Sequence, residues 1–248
     1  MQQRHPGIEK MIQEACEADP ALGCRRRVDL ARIAGSGRQR LLMVTHALGG
    51  QVERQVRLMA RLLEPQLEVL TLYPGLAGVV MVRWERAGEE FRAGFPTPAD
   101  TPQLEAFLKD LGIARVHYHH LAGLPEAVTR LPAALGVPYD FTVHDYYTIC
   151  PRFHLVRPDG AYCGEPDTLA CNGCRAEAPV ASYEDIRDWR QRHAAFLSAA
   201  ARVFVPSRDA LARISGYFPE ATLTHMPPLD TWPGAPAPRR EIKVLVPG

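Results

Sequence analysis

The chain has 248 residues, of which 46% are hydrophobic and 23% are charged, and its formal net charge at pH 7 is +1. This length gives one large domain or two small ones, and the composition is that of a soluble globular protein. The near-neutral balance argues against a dedicated nucleic-acid binder, and no apolar run reaches the roughly 18 residues that span a bilayer. We therefore expect no nucleic-acid partner. Because the polar first residues do not resemble a signal peptide, we expect a cytoplasmic protein.

The first 39 residues are predicted to form a separate helical and connector segment. Ile8–Ala18 carries apolar residues at helical spacing. Arg25–Arg27 and Gly35–Gly37 are typical of a solvated connector. We therefore expect the main domain to begin at residue 40.

Apolar strand patterns and amphipathic helix patterns alternate over residues 40–226. Strands are predicted at Leu41–Thr45, Leu67–Leu72, Val79–Trp84, Glu90–Phe95, Arg115–His119, Tyr139–Val143, Val203–Val205 and Thr222–His225. Helices are predicted at Val52–Leu63, Thr101–Leu111, Pro125–Leu135, Tyr183–Ala200 and Arg208–Ser215. This alternation predicts an α/β fold with a doubly wound, Rossmann-like, mostly parallel sheet.

The last residues suggest the start of a second domain. Residues 227–241 are rich in proline and are typical of a linker. Residues 242–248 contain one more apolar strand, Ile242–Val246, which cannot bury its faces alone. We expect this strand to open a truncated carboxyl-terminal domain, so that the chain is a fragment of a longer protein without turnover of its own.

Chemically active groups follow the predicted strands. Ligands of open α/β sheets bind at the carboxyl ends of strands, where His119, His144 and Asp145 are expected to lie. His119 can alternatively bond a backbone group, and Asp145 can cap a turn. Gly49 and Gly50 are either an anion-binding turn at a helix amino terminus or an ordinary tight turn. Tyr146 and Arg152 are expected to line a binding cleft at the same edge.

Four cysteines lie in one loop, at Cys150, Cys163, Cys171 and Cys174. Thiols stay reduced in the cytosol, and a Cys-x2-Cys pair fits tetrahedral zinc, so a closed structural zinc site is predicted. Free thiols and a disulfide between two of the cysteines remain as alternatives. Cys16 and Cys24 lie outside the cluster and are expected to be plain thiols.

The order of these motifs resembles the retaining, metal-independent glycosyltransferases of the GT-B fold, family 4-like, that build cell-surface polysaccharides and glycolipids. The motifs that carry the resemblance are the His46–Arg54 stretch, His117–His120, the His144-Asp145 pair, Tyr146 with Cys150-Pro151, Val205–Ser207 and Lys243–Gly248. The family often has a third glycine where this chain has Gln51. A subgroup of the family carries a similar cysteine loop.

The resemblance implies that residues 40–226 form the acceptor-side half of such an enzyme. It implies a nucleotide-diphosphate sugar as co-substrate, a glycan or lipid-linked acceptor, no catalytic metal, and a missing carboxyl-terminal domain that holds the donor. Catalytic roles then fall on His119, His144 and Asp145, and binding roles on Gly49, Gly50, Tyr146 and Arg152.

Two other functions remain open: a nucleotide-sugar epimerase-like enzyme, and a non-catalytic, zinc-held α/β binding module. Arg54, Arg57 and Arg61 recur along the first predicted helix of the sheet domain. They form either a solvated face, which is favoured, or a contact with anionic lipid at the inner membrane surface.

Overall fold

The structure, a computed structural model, describes residues 21–86, 88–177 and 185–228 together with Met11. The chain divides into two compact units, Met1–Arg38 and Gln39–Gly248. Helix α1 spans Leu22–Ala34 in the first unit. The expected connector at Arg25–Arg27 is therefore wrong: these arginines are helical, in keeping with the good helix propensity of arginine. The helix predicted over Ile8–Ala18 lies outside the described residues apart from Met11.

The second unit is built on one eight-stranded sheet. Its strands are β1 Gln39–Val44, β2 Leu67–Pro74, β3 Val79–Arg86, β4 Glu89–Pro96, β5 Ile113–Tyr118, β6 Tyr139–Thr142, β7 Arg202–Val205 and β8 Leu223–His225. Its α-helices are α2 Gly50–Leu63, α3 Thr101–Asp110, α4 Leu131–Leu135, α5 Thr168–Glu177, α6 Ile186–Ser198 and α7 Arg208–Tyr217, and a 3-10 helix spans Glu126–Arg130. None of the helices in the described parts of the chain is long and apolar enough to cross a membrane.

The strand order is β4-β3-β2-β1-β5-β6-β7-β8. Six neighbouring strands, β2, β1, β5, β6, β7 and β8, are parallel, and β3 and β4 add an antiparallel hairpin at one edge. The predicted α/β class with a mostly parallel sheet is confirmed. Because β1 pairs with β2 on one side and with β5 on the other, the winding reverses at β1.

Burial follows the position of each strand in the sheet. In β1 the four residues from Leu41 to Val44 are all buried, as expected for a central strand covered on both faces. In β2 and β3 buried and half-buried residues alternate. This pattern marks the edge region, where the second face of the sheet is less completely covered.

The long loop after β6 contains a helix, α5, that its polar composition does not predict. The predicted linker at residues 227–241 lies outside the described residues, except for Pro227 and Pro228. The predicted strand in residues 242–248 also lies outside them, as does Ala87.

Candidate functional site

Because β1, β5 and β6 are parallel neighbours, the loops that follow them lie at one edge of the sheet. His46 follows β1, His119 and His120 follow β5, and His144 with Asp145 follows β6. All the imidazoles among them except that of His144 are buried, with exposed fractions of 6% or less. The predicted grouping of strand-end residues is therefore present, and it contains more histidines than the sequence singled out.

One set of side chains forms a row of three imidazoles. The ring of His117 stacks on that of His119, with centroids 4.3 Å apart, as strand alternation predicts for residues two apart. His119 Nδ1 lies 3.0 Å from His144 Nε2. At the inner end of the row, His117 Nε2 lies 2.7 Å from Thr142 Oγ1. His144 is the half-buried end of this row, so it is the imidazole that solvent can reach.

A second set pairs His120 with Asp145. His120 Nδ1 accepts a hydrogen bond from the Ala122 N–H at 3.0 Å, so its proton resides on Nε2, which donates to Asp145 Oδ2 at 3.1 Å. The other carboxylate oxygen, Oδ1, accepts from the Tyr147 N–H at 2.9 Å. Both nitrogens of His120 and both oxygens of Asp145 thus have partners, and the pair holds the two loops together.

His46 completes the second set from the β1 side. Its Nδ1 accepts from the Leu48 N–H at 3.2 Å, and its ring lies 4.7 Å from that of His120. Since Nδ1 accepts, the proton of the neutral ring is on Nε2. Burial, and next the neighbouring His120, lower the pKa of His46.

Burial keeps the row of imidazoles neutral at pH 7. It lowers the pKa of His117 and of His144 to about 4, because the charged form loses its hydration. The pKa of His119 lies well below its usual value for the same reason, and His117 and His144 lower it further. The site therefore offers neutral hydrogen-bonding groups and not cations.

Asp145 remains ionised within this neutral surrounding. Its burial favours the neutral carboxyl, but hydrogen bonds from His120 and from the Tyr147 N–H outweigh that effect and lower its pKa. The carboxylate is the negative charge of the site.

The tautomers of the row follow from one unpartnered atom. His119 Nε2 is buried and has no hydrogen-bond partner among the residues that the structure describes. An orphaned buried N–H is rarer than an unpaired acceptor, so we assign the His119 proton to Nδ1. His119 then donates to His144 Nε2, and the neutral His144 carries its own proton on Nδ1.

Gly49 and Gly50 form the turn between β1 and α2. Their φ angles are 74° and 75°, in the left-handed region that favours glycine. Gly49 immediately precedes the first residue of α2. The pair is thus required by the turn itself, and its predicted role in binding stays a prediction.

Tyr146 and Arg152, the predicted cleft residues, have structural partners. The Arg213 guanidinium, from α7, lies 5.4 Å from the centre of the Tyr146 ring. Arg152 Nη2 donates to the Cys174 carbonyl at 3.3 Å, so this side chain reaches toward α5. Tyr146 directly follows Asp145 in the sequence, and its ring contacts Arg213 of α7. Arg152 has its contact within the cysteine loop.

The four loop cysteines are free thiols. Among the described residues no group of three or more His, Cys, Asp or Glu side chains is arranged to hold a metal ion, so the predicted zinc site is not supported. The thiols have other partners. Cys171 Sγ lies 3.6 Å from the Pro166 carbonyl and 3.5 Å from Arg190 Nη2, and Cys163 Sγ accepts from the Glu165 N–H at 3.3 Å.

Three residues of the site, His46, His120 and Tyr147, are not among those that the strand-end argument predicts. His46 and His120 belong to the motifs that carry the resemblance. Tyr147 packs its ring against that of His120, with centroids 4.7 Å apart. The sequence does place His46 at a strand end, because it directly follows the predicted strand Leu41–Thr45. Nothing in the sequence indicates the contact of Tyr147 with His120.

Comparisons with known proteins give distant similarities. No protein-family model and no curated protein sequence matches the chain. Among solved structures, it is similar to sucrose-phosphate synthase from Thermosynechococcus elongatus, at 11% identity and a TM-score of 0.45, over 77% of this chain and 48% of that one. It is also similar to MurG from Acinetobacter baumannii, at 13% identity and a TM-score of 0.31, over 76% and 67%. The chain thus spans about half the length of the synthase.

The first prediction concerns stability at acidic pH. His117 and His144 have folded pKa values of about 4, whereas unfolded histidine titrates near 6.5. As the pH falls through 6.5 the unfolded chain binds protons first, so the free energy of unfolding should drop by about 1.4 kcal/mol per pH unit for each such group. The loss should level off below about pH 4. Urea unfolding between pH 7 and 5 measures it.

His117→Gln keeps a side-chain partner for Thr142 but cannot titrate, so it should reduce this slope by about one group's share. Replacement of the exposed His154 by glutamine is the matched control. A free energy of unfolding that stays constant from pH 7 to 5 would contradict the assignment of buried neutral histidines.

The second prediction concerns the cysteines. Burial raises the pKa of the Cys150 thiol, and the other three thiols add to that effect. Since the thiolate is the reactive form, Cys150 should be alkylated more slowly than Cys163, Cys171 and Cys174 at pH 7.5. Mass spectrometry after timed alkylation under reducing conditions gives the four rates. The opposite result would be equally slow alkylation of all four thiols that becomes fast when EDTA is added. That result would contradict the prediction and support a zinc site.

Proposed function

We propose that this chain is the acceptor-side domain of a GT-B glycosyltransferase. The observation that carries the proposal is the convergence of His46, His119, His120, His144 and Asp145 on the switch point of a mostly parallel sheet. Switch points are where open α/β sheets bind their ligands. The resemblance of the motifs to those of this enzyme class supports the same assignment.

In this proposal the substrates are a nucleotide-diphosphate sugar and a glycan or lipid-linked acceptor, and the reaction retains the anomeric configuration. The bond from the sugar to the donor's diphosphate breaks and a new bond forms to an acceptor hydroxyl. The second domain implied by the resemblance holds the donor. Synthesis of cell-surface polysaccharide and work at the membrane surface rest on the resemblance alone.

His144 is the residue that we assign to contact with substrate. It is the half-buried end of the imidazole row, and its Nδ1 has no hydrogen-bond partner among the described residues. As a neutral donor it can hydrogen-bond an oxygen on which negative charge develops when the diphosphate leaves. A fixed donor of this kind requires little reorganisation during the reaction.

His119 and His120 then act through their neighbours. His119 is fully buried and donates to His144 Nε2, which sets the tautomer and the orientation of His144. His120 and Asp145 tie the loop after β5 to the loop after β6. The earlier catalytic assignment of His119 and Asp145 is thus refined in this proposal to a positioning role.

The test is release of nucleoside diphosphate by the complete protein, with a panel of nucleotide-diphosphate sugars and a glycan acceptor mixture. His144→Ala should lower kcat about a hundredfold, the typical cost of one positioned donor. His144→Asn should recover part of this loss, because its amide N–H replaces Nδ1–H. His154→Ala, at an exposed site, is the control. No release from any donor would favour a non-catalytic binding module instead.

A double-mutant cycle tests the positioning role of His119. If His119 acts only by orienting His144, His119→Ala combined with His144→Ala should lose no more kcat than His144→Ala alone. The two single losses would multiply if His119 contributed independently, and that result would return it to direct contact with substrate.

A further inference from the structure

A separate cavity lies beside α6. Its volume is about 360 Å³, within the range of small-molecule sites. The 3-10 helix, α4, the start of β6 and α6 provide its walls. The apolar part of the lining consists of Leu121, Leu124, Pro125, Pro132, Tyr139 and Phe196.

Aromatic rings form one wall of this cavity. Tyr139 and Phe196 stack with centroids 5.0 Å apart at an interplanar angle of 24°. The Tyr139 hydroxyl donates to the Phe196 carbonyl, so this residue offers the cavity its ring and not its O–H. Tyr147 also lines the cavity. Such a wall suits a flat ring, because aromatic pairs gain from offset or edge contacts.

His193 adds a fixed acceptor to this apolar surrounding. It is 3% exposed, and its Nδ1 lies 2.8 Å from the Trp189 carbonyl, which can only accept. The ring proton is therefore on Nδ1. Burial lowers the pKa of His193 to about 4, so the ring is neutral at pH 7. The other ring nitrogen, Nε2, has a lone pair and no hydrogen-bond partner in the described parts of the chain.

Four other polar side chains of the lining have partners elsewhere. Glu126 and Arg130 face each other at 3.8 Å on the surface, and Thr129 Oγ1 donates to the Glu126 carbonyl at 2.7 Å. The Arg192 guanidinium lies 5.1 Å from the centre of the Trp189 ring. His193 Nε2 is therefore an acceptor that the cavity offers, and a ligand that bonds it must bring a donor.

We propose that this cavity binds a small neutral ring compound that carries one hydroxyl group, a ligand of the phenol class. The ring packs against Tyr139, Phe196 and Tyr147, and the hydroxyl donates to His193 Nε2. The site goes beyond the proposed glycosyl transfer, although Tyr147 borders both: its ring centroid is 4.7 Å from that of His120 and 5.8 Å from that of His193.

The test uses phenol and toluene as probes, with the full chain and ligand-observed saturation-transfer NMR. Phenol should bind saturably, and toluene, which lacks the donor, should bind about fivefold more weakly, the factor that one net hydrogen bond gives. His193→Phe keeps a ring but removes the acceptor, so phenol and toluene should then bind with similar affinity.

Two variants test the location without touching His193. Ala133 is exposed at the cavity lining, so Ala133→Leu should block entry and abolish phenol binding. Ala195 is exposed on α6 away from the lining, and Ala195→Leu should bind phenol as the wild type does. The proposal is overturned if wild-type protein does not bind phenol, if toluene binds equally well, or if both leucine variants behave alike.

Discussion

The site depends on the parallel alignment of β1, β5 and β6 and on the reversal of winding at β1. Because β2 pairs on one side of β1 and β5 on the other, the connections after β1 and β5 leave in opposite directions. In open α/β sheets, ligands bind beside such a reversal, at the carboxyl ends of the strands. His46 stands on one side of this reversal, and His119 with His120 on the other.

Burial then decides what these histidines can do. Stacked imidazoles at 4.3 Å, as in His117 and His119, would repel each other if both were protonated. Desolvation keeps them neutral, and each neutral ring has one donor and one acceptor, so the hydrogen bonds of the row have a direction. That direction runs from His119 to His144 and leaves a single N–H facing outward. Such a row can donate a hydrogen bond to an oxygen atom, and it carries no positive charge that would attract anions.

The sequence predicted the sheet well because its central strands are continuous apolar runs. It also placed His119, His144 and Asp145 at strand ends, since a strand's end is visible where the apolar run stops. It could not predict which residues pair: His119 with His144, and His120 with Asp145, are each 25 residues apart. Alternation assigns a face of a strand, but the partner depends on how β5 and β6 align. Helix α5 was missed because its few apolar residues give no clear helical period, and the cysteines in it suggested a metal.

The loop after β6 is held by contacts from the helices that follow it. It contains Phe153 and Leu155 at positive φ, a conformation that costs about 1 kcal/mol or more for each residue. Contacts from the following helices offset this cost. From α6, Trp189 Nε1 donates to the Tyr147 carbonyl at 3.0 Å and Arg190 Nε to the Ile149 carbonyl at 3.2 Å.

The α7 helix contributes Arg213, whose Nη1 donates to the Tyr162 hydroxyl at 2.8 Å. These side chains come from helices on the far side of the cysteine segment, so the loop is held by groups that follow it in sequence. Trp189 donates its Nε1–H to the Tyr147 carbonyl, and its own carbonyl accepts a hydrogen bond from His193 Nδ1–H. One turn of α6 therefore positions both Tyr147, whose ring lies beside His120, and His193, whose Nε2 is the acceptor in the neighbouring cavity. A change in the packing of Trp189 would shift both residues.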